Sequence, residues 1–190
     1  MTSPAPRRLA LSAAFCAAYA AGMVLGLNTA NAPEIPGVAT VWLANGFVAA
    51  ALLLLPRIWG YAVAAACLTL SFSYHLMLGH APLQSLVFPS IDLAEAAGAA
   101  WLARQACGEG VLLTSPRQLG RLLALAVGPA AACSAIAAAN ASVIFGRSFD
   151  QTPMVWLPAN AAGMALVLPT VLALAQRWPR RALATGPAAA

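Results

Sequence analysis

Two carboxylates, Asp92 and Glu95, lie inside the largely apolar run FPSIDLAEAAGAAWLAR. Spaced three apart, they share one face of a helix. Ionisable side chains are costly in such a run, and where they occur they usually face a protein interior. The chemistry open to them is narrow. Two ionised carboxylates in hydrocarbon repel, so at least one is expected to hold a proton or to sit beside a cation. Such a pair either serves a ligand or a proton, or is satisfied by hydrogen bonds between helices and binds nothing. Pro89, three residues before Asp92, removes a backbone donor and frees a carbonyl one turn earlier, which Ser90 is placed to satisfy. A helix distorted beside two acids resembles the ion and substrate sites of transporters.

The other buried polar groups are amides, Asn45, Asn140 and Asn160. In membrane bundles such groups bond across helices, each often worth less than about 1 kcal/mol. Asn45 and Asn160 fall in two similar strings, VWLANGF at 41–47 and VWLPANAAG at 155–163, and each string runs into an apolar stretch closed by a proline, Pro56 or Pro169. Trp42 and Trp156 are expected at the outer membrane boundary, where aromatic belts form. The two amides would then lie just inside that boundary, shallower than the acids, and the two strings would rim one polar pocket. The candidates for ligand binding or switching are Asp92, Glu95, Asn45, Asn160, Trp42 and Trp156.

Two histidines, His75 and His80, have no recognised ligand spacing, so a solvated interfacial position is expected and no metal site. Cys16, Cys67, Cys107 and Cys133 form no CxxC pair and read as small hydrophobes. No GxSxG, HExxH or Walker loop occurs. The expectation is a protein that is not an enzyme and carries no cofactor.

These residues need elements to hold them. The chain is 62% apolar and 8% charged, against about 25% charged in soluble domains. That leaves too little polar surface to face water all round. The predicted fold class is therefore all-α, a polytopic transmembrane bundle. Six segments are long enough or nearly so: Leu9–Leu27, Thr40–Leu55, Ile58–Leu78, Leu83–Ala103, Leu119–Ile144 and Met154–Ala175. The second is short and starts at a tryptophan. The fifth contains Gly128-Pro129 and is expected to kink there or to start late. Counted from Leu83 at the outer side, Asp92 lies roughly 13 Å deep and Glu95 roughly 18 Å. Small-residue runs such as AEAAGAA let helices approach closely.

All ten basic residues are arginines. Arg7, Arg8, Arg57, Arg104, Arg117, Arg121, Arg177, Arg180 and Arg181 flank one set of loops, and only Arg147 flanks the other. By the positive-inside rule both termini are cytoplasmic. This bias accounts for the net charge of +5, so no nucleic-acid partner is inferred. Arg7-Arg8, the apolar run and Ala30-Asn31-Ala32 imitate a signal peptide, but the run is long for one and Pro33 follows, so an uncleaved first helix is expected. The membrane domain is assigned to residues 1–181 and a linker to 182–190.

The string VWLANGFVAAALLLLPRIWGYAVAAA resembles the early motif of MASE1 membrane-associated sensor domains, a W-x-x-x-G lead into an apolar helix followed by a short basic turn with an aromatic. SIDLAEAAGAAWLAR is similar to that family's central segment, with Asp92 and Glu95 at its polar and glutamate positions. VWLPANAAGMALVLP is similar to its last helix, where Asn160 stands at a position that often carries an acid. The resemblance spans most of 41–176. It implies signal reception in the bacterial inner membrane, with a cytoplasmic output module of histidine kinase or diguanylate cyclase type, fused or in trans. The family usually has more membrane helices than the six counted here. A homodimer is compatible with a signalling domain. The other reading from the residues is the substrate-binding membrane subunit of a vitamin-type transporter, which has about this size and small-residue faces.

Overall fold

The computed structural model describes residues 4–28, 41–108, 115–145 and 151–177. They form six helices: α1 (Pro4–Asn28), α2 (Ala44–Leu54), α3 (Arg57–Met77), α4 (Pro82–Cys107), α5 (Pro116–Phe145) and α6 (Gln151–Arg177). No strand occurs among the described residues. Large apolar side chains stay exposed on the outer faces, among them Ile58, Tyr61, Met77, Trp101, Val143 and Met154. That surface suits lipid and not water. Four helices (α1, α4, α5 and α6) are long and apolar enough to cross a membrane. α3 has the length, 21 residues, but it carries Arg57, Ser71, Ser73 and His75 and falls below that level of apolarity.

Local chemistry sets the breaks. Gly79, at φ +83°, takes the left-handed turn between α3 and α4. Pro82 opens α4 at a position where its missing N–H costs nothing, and the Gln84 side chain reaches back to the Ala81 N–H. Gly108, at φ +79°, ends α4. Pro56 separates α2 from α3, and Gly60 lets α3 fold back against Leu52. α5 runs unbroken from Pro116 with Pro129 inside it, so the late start expected as one alternative does not occur. Ser90 bonds the Leu86 carbonyl. It does not reach the Ser85 carbonyl that Pro89 frees, so that part of the sequence expectation fails.

The helices alternate in direction. Gly22 and Gly26, late in α1, meet the lead into α2, and Arg104 near the end of α4 donates to the Leu52 carbonyl near the end of α2. Arg121 early in α5 donates to Ala106 at the end of α4. The start of α1 and the end of α6 therefore share one end of the bundle.

The largest departure from the sequence reading concerns α2. The expected span Thr40–Leu55 is a helix only over Ala44–Leu54, 11 residues. It is about 16 Å long, half the thickness of a hydrocarbon core. Trp42 does not face lipid as a belt residue would; it is 7% exposed, inside the main core cluster. Val41–Leu43 is non-helical and docks on neighbouring helices. The Trp42 N–H donates to the Ala159 carbonyl of α6 at 3.1 Å. Two glycines make room for it. A Cβ on Gly163 would stand 1.9 Å from the Trp42 carbonyl oxygen, and one on Gly26 would stand 2.7 Å from its indole ring. Gly46 gives the same clearance one turn on, where a Cβ would stand 2.5 Å from the Cβ of Val167.

Gly163→Ala should therefore lower the thermal midpoint of the detergent-solubilised protein, by the 1–3 kcal/mol or more that overpacking costs. Gly128→Ala, where a Cβ meets nothing within 4 Å, is the matched control and should leave the midpoint in place. Equal midpoints for the two variants would sink the docking of Trp42 on Gly163.

Candidate functional site

The two similar strings meet. Asn45, in the first turn of α2, donates through Nδ2 to Asn160 Oδ1 of α6 at 2.8 Å and to Asp92 Oδ1 of α4 at 3.2 Å. Its own Oδ1 accepts from the Trp42 indole Nε1–H at 3.1 Å. One amide thus ties three helices and the non-helical lead-in together with every polar atom used. Asn160 completes its set by donating to the Trp156 carbonyl at 3.1 Å. Asn45, Asp92 and Asn160 are all buried. In a low-dielectric interior, hydrogen bonds of this kind favour one arrangement of the helices they join.

The contacts correct the expected depths. Asn45 and Asn160 are bonded to each other and to Asp92, so the amides lie level with the acid and not above it. Counted along the helices from the end where α4 and α6 start, Tyr19, Cys67, Asp92, Cys133 and Asn160 all lie about 14–18 Å in. The outer-rim pocket expected from the repeated strings is in fact a polar layer at mid-bundle.

Glu95 sits differently. It is fully buried, 0% exposed, and neither carboxylate oxygen has a hydrogen-bond partner. The Asn45 amide and the Trp156 indole face it, but the Trp156 Nε1 is itself buried and unbonded. Trp156 is half-buried and packs its ring on Phe88, with centroids 5.8 Å apart. It packs against a small cluster of Ile91, Cys133 and Ala137 between α4, α5 and α6.

Three neighbours were not anticipated from the sequence. Tyr19 of α1 faces Asp92 and Ser71 of α3. Cys133 of α5 faces both carboxyls. Tyr19 is the only tyrosine of α1 and stands among small apolar residues, and that isolation was the available signal for it. The remaining polar candidates lie elsewhere. His75 is half-buried, with Nδ1 2.8 Å from the Ser71 carbonyl and its ring 5.2 Å from that of His80. Among the described residues no three His, Cys, Asp or Glu side chains are grouped to hold a metal. Asn140 bonds the Ile136 carbonyl of its own helix on a half-buried face, so it ties no helices together as a buried amide would.

A double-mutant cycle measures the junction. Asn45→Ala and Asn160→Ala, each alone and then together, should show a coupling of about 0.6–1.7 kcal/mol, the range of hydrogen bonds between membrane helices. Unfolding of the solubilised protein in denaturant gives the four stabilities. Asn140→Ala should cost a few tenths of a kcal/mol at most. Strict additivity of the Asn45 and Asn160 changes would mean that the bond carries no energy.

Comparison with known proteins agrees with this architecture. No curated protein and no solved structure matches the chain. The family model for MASE1 matches residues 11–187. That match covers all six helices but the first turns of α1, and it includes both similar strings and the acid pair. It also reaches into the stretch 182–190 assigned as a linker, which lies outside the described residues. By this match, and by its all-helical membrane bundle, the chain belongs to the MASE1 family of membrane-associated sensory domains of signalling proteins.

Proposed function

We propose that the chain is a sensory unit of the bacterial inner membrane whose switch is the junction of α2, α4 and α6. The observation that carries this reading is the Asn45 amide, which bonds Asn160 and Asp92 at once. A stimulus that changes the acid pair changes what Asn45 can bond, and with it the seating of α2 on α6. α6 then runs without a break from the junction to Arg177. A shift there is delivered to the end of the bundle from which an output module would continue. The arginine distribution supports a cytoplasmic location for that end and for both termini. The output is then a histidine kinase or diguanylate cyclase type of module, on the same chain or a partner, with two copies paired in the membrane. The unit signals by shape and performs no reaction of its own.

Among the described residues, the packing at this junction gives no support to a solute carrier. The crevice beside Asn45, lined by Tyr19, Val48, Cys67, Pro89 and Leu93, is too narrow for a water molecule. A carrier keeps a site for its cargo, commonly several hundred Å³ for a drug-sized ligand.

The test is a fusion of residues 1–181 to a reporter output domain. Asn45→Ala and Asp92→Asn should each change basal output by about tenfold, the effect of ~1.4 kcal/mol on a two-state balance. Membrane levels of the fusions are measured alongside. Unchanged output at equal levels for both variants would make the junction structural only.

A further inference from the structure

The groups around Glu95 point to its ligand. Its carboxyl is enclosed by α2, α4, α5 and α6, fully buried, with both oxygens unbonded. The groups that face it or its partner acid are Asp92 on its own helix, Asn45 on α2, Cys133 on α5, Trp156 and Asn160 on α6, and Tyr19 on α1, which sits against Ser71 of α3. None of them carries a positive charge. Arg104, nine residues further along α4, is engaged with the Leu52 carbonyl. The crevice on the Tyr19 side admits no water. On the other side, the Phe88–Trp156 ring pair and Ile91 cover the acid from the end where α4 starts. An organic ligand has no room here, and a metal ion lacks ligands. A hydrogen ion needs neither.

We propose that Glu95 is a proton-binding site, and that release of its proton draws the Asn45 amide away from Asn160. This rests on the switch reading given above and names its stimulus as a change in proton concentration. In the step itself the O–H bond of the Glu95 carboxyl breaks. The proton passes by way of the carboxyl of neighbouring Asp92, a residue that keeps 6% of its surface exposed, to water outside the bundle, and the electron pair stays on the Glu95 carboxylate. A buried carboxylate without donors is costly. Two donors already face it: the idle Trp156 Nε1–H and the Asn45 Nδ2. Trp156 can turn without breaking any side-chain bond. Asn45 cannot, because its two N–H groups are spent on Asn160 and Asp92. Serving Glu95 ends one of those bonds. Asp92 shares α4 with Glu95, so an amide turned toward α4 keeps its bond to Asp92 and gives up the side-chain bond to Asn160 on α6. Protonated Glu95 therefore leaves the junction closed, and ionised Glu95 opens it.

The experiment uses the full chain in phosphatidylcholine bilayers. Infrared difference spectra are recorded while pH is raised across the physiological range. The wild-type chain should lose a protonated-carboxyl carbonyl band as pH rises. Glu95→Gln should show no such pH-dependent loss, and Asp92→Asn should keep it. A wild-type chain with no titrating carboxyl band overturns the proposal without relying on any variant, as does a band that still titrates in Glu95→Gln. The second arm repeats the Asn45/Asn160 double-mutant cycle at both ends of the pH range. The coupling should fall at least threefold at high pH, and should stay constant when Glu95→Gln is present in all four chains. Constant coupling in both backgrounds overturns the relay through Asn45. The reporter fusion separates the two readings. If Asn45→Ala shifts output while Glu95 does not titrate, the switch stands and the proton is the wrong stimulus. If Glu95 titrates and moves the coupling while output never changes, the proton site stands and the sensory reading of the junction falls.

Discussion

Backbone that leaves the helix within a bilayer must find its hydrogen bonds in protein, because lipid offers none. Val41–Leu43 is such a segment, and the bundle is arranged around it. Its Trp42 N–H is taken by the Ala159 carbonyl of α6, and its Trp42 side chain by Asn45 and Gly26. Gly163 opens the seat in which the Trp42 carbonyl lies. Because α2 begins only at Ala44, its first turn stands at mid-bundle, where a full-length span would have put it near the membrane surface. That displacement brings Asn45 level with Asp92. Had α2 spanned fully, the amide and the acid would have lain at different depths and could not have bonded.

The same constraint explains why two similar strings occur. VWLANGF and VWLPANAAG are the two sides of one contact. The backbone of the first bonds the second at Trp42 and Ala159, the amides pair at Asn45 and Asn160, and Gly46 and Gly163 face the same seam. Small residues allow close approach in lipid, where no hydrophobic force separates helix from solvent. The asymmetry between the strings matters as much as their likeness. The first copy is non-helical up to Leu43, whereas the second lies wholly within α6 in spite of Pro158. Only one partner can be extended and still dock against a continuous rod.

Much of this was legible in the sequence. Hydropathy gave six helices and the membrane, and the rarity of buried charge singled out Asp92 and Glu95. The isolated amides completed the right set of helices, α2, α4 and α6. Depth was not legible. An apolar run of about sixteen residues has one hydropathy whether it starts at the lipid surface or halfway down. A tryptophan beside it suits a belt as well as a core. The different fates of the two acids were not legible either. Three residues along a helix turn the side chain by about 60°. That is near enough to share a face, yet far enough that Asp92 meets Asn45 while Glu95 turns toward Trp156 and Cys133.

The energies suit a switch better than a staple. The junction holds three interhelical or lead-in side-chain bonds, Trp42–Asn45, Asn45–Asp92 and Asn45–Asn160. At about 0.6 kcal/mol each and at most about 1.7, their sum is about 2–5 kcal/mol. Moving a two-state balance from 1:99 to 99:1 takes about 5.5 kcal/mol. A network much stronger than this could not be opened by any single protonation or binding event, and a much weaker one would not hold α2 in place between events. The glycine-seated backbone of Trp42 supplies the part of the contact that never needs to break. The amide pair supplies the part that can, and the unbonded carboxyl of Glu95 stands within reach of the one donor group on which that pair depends.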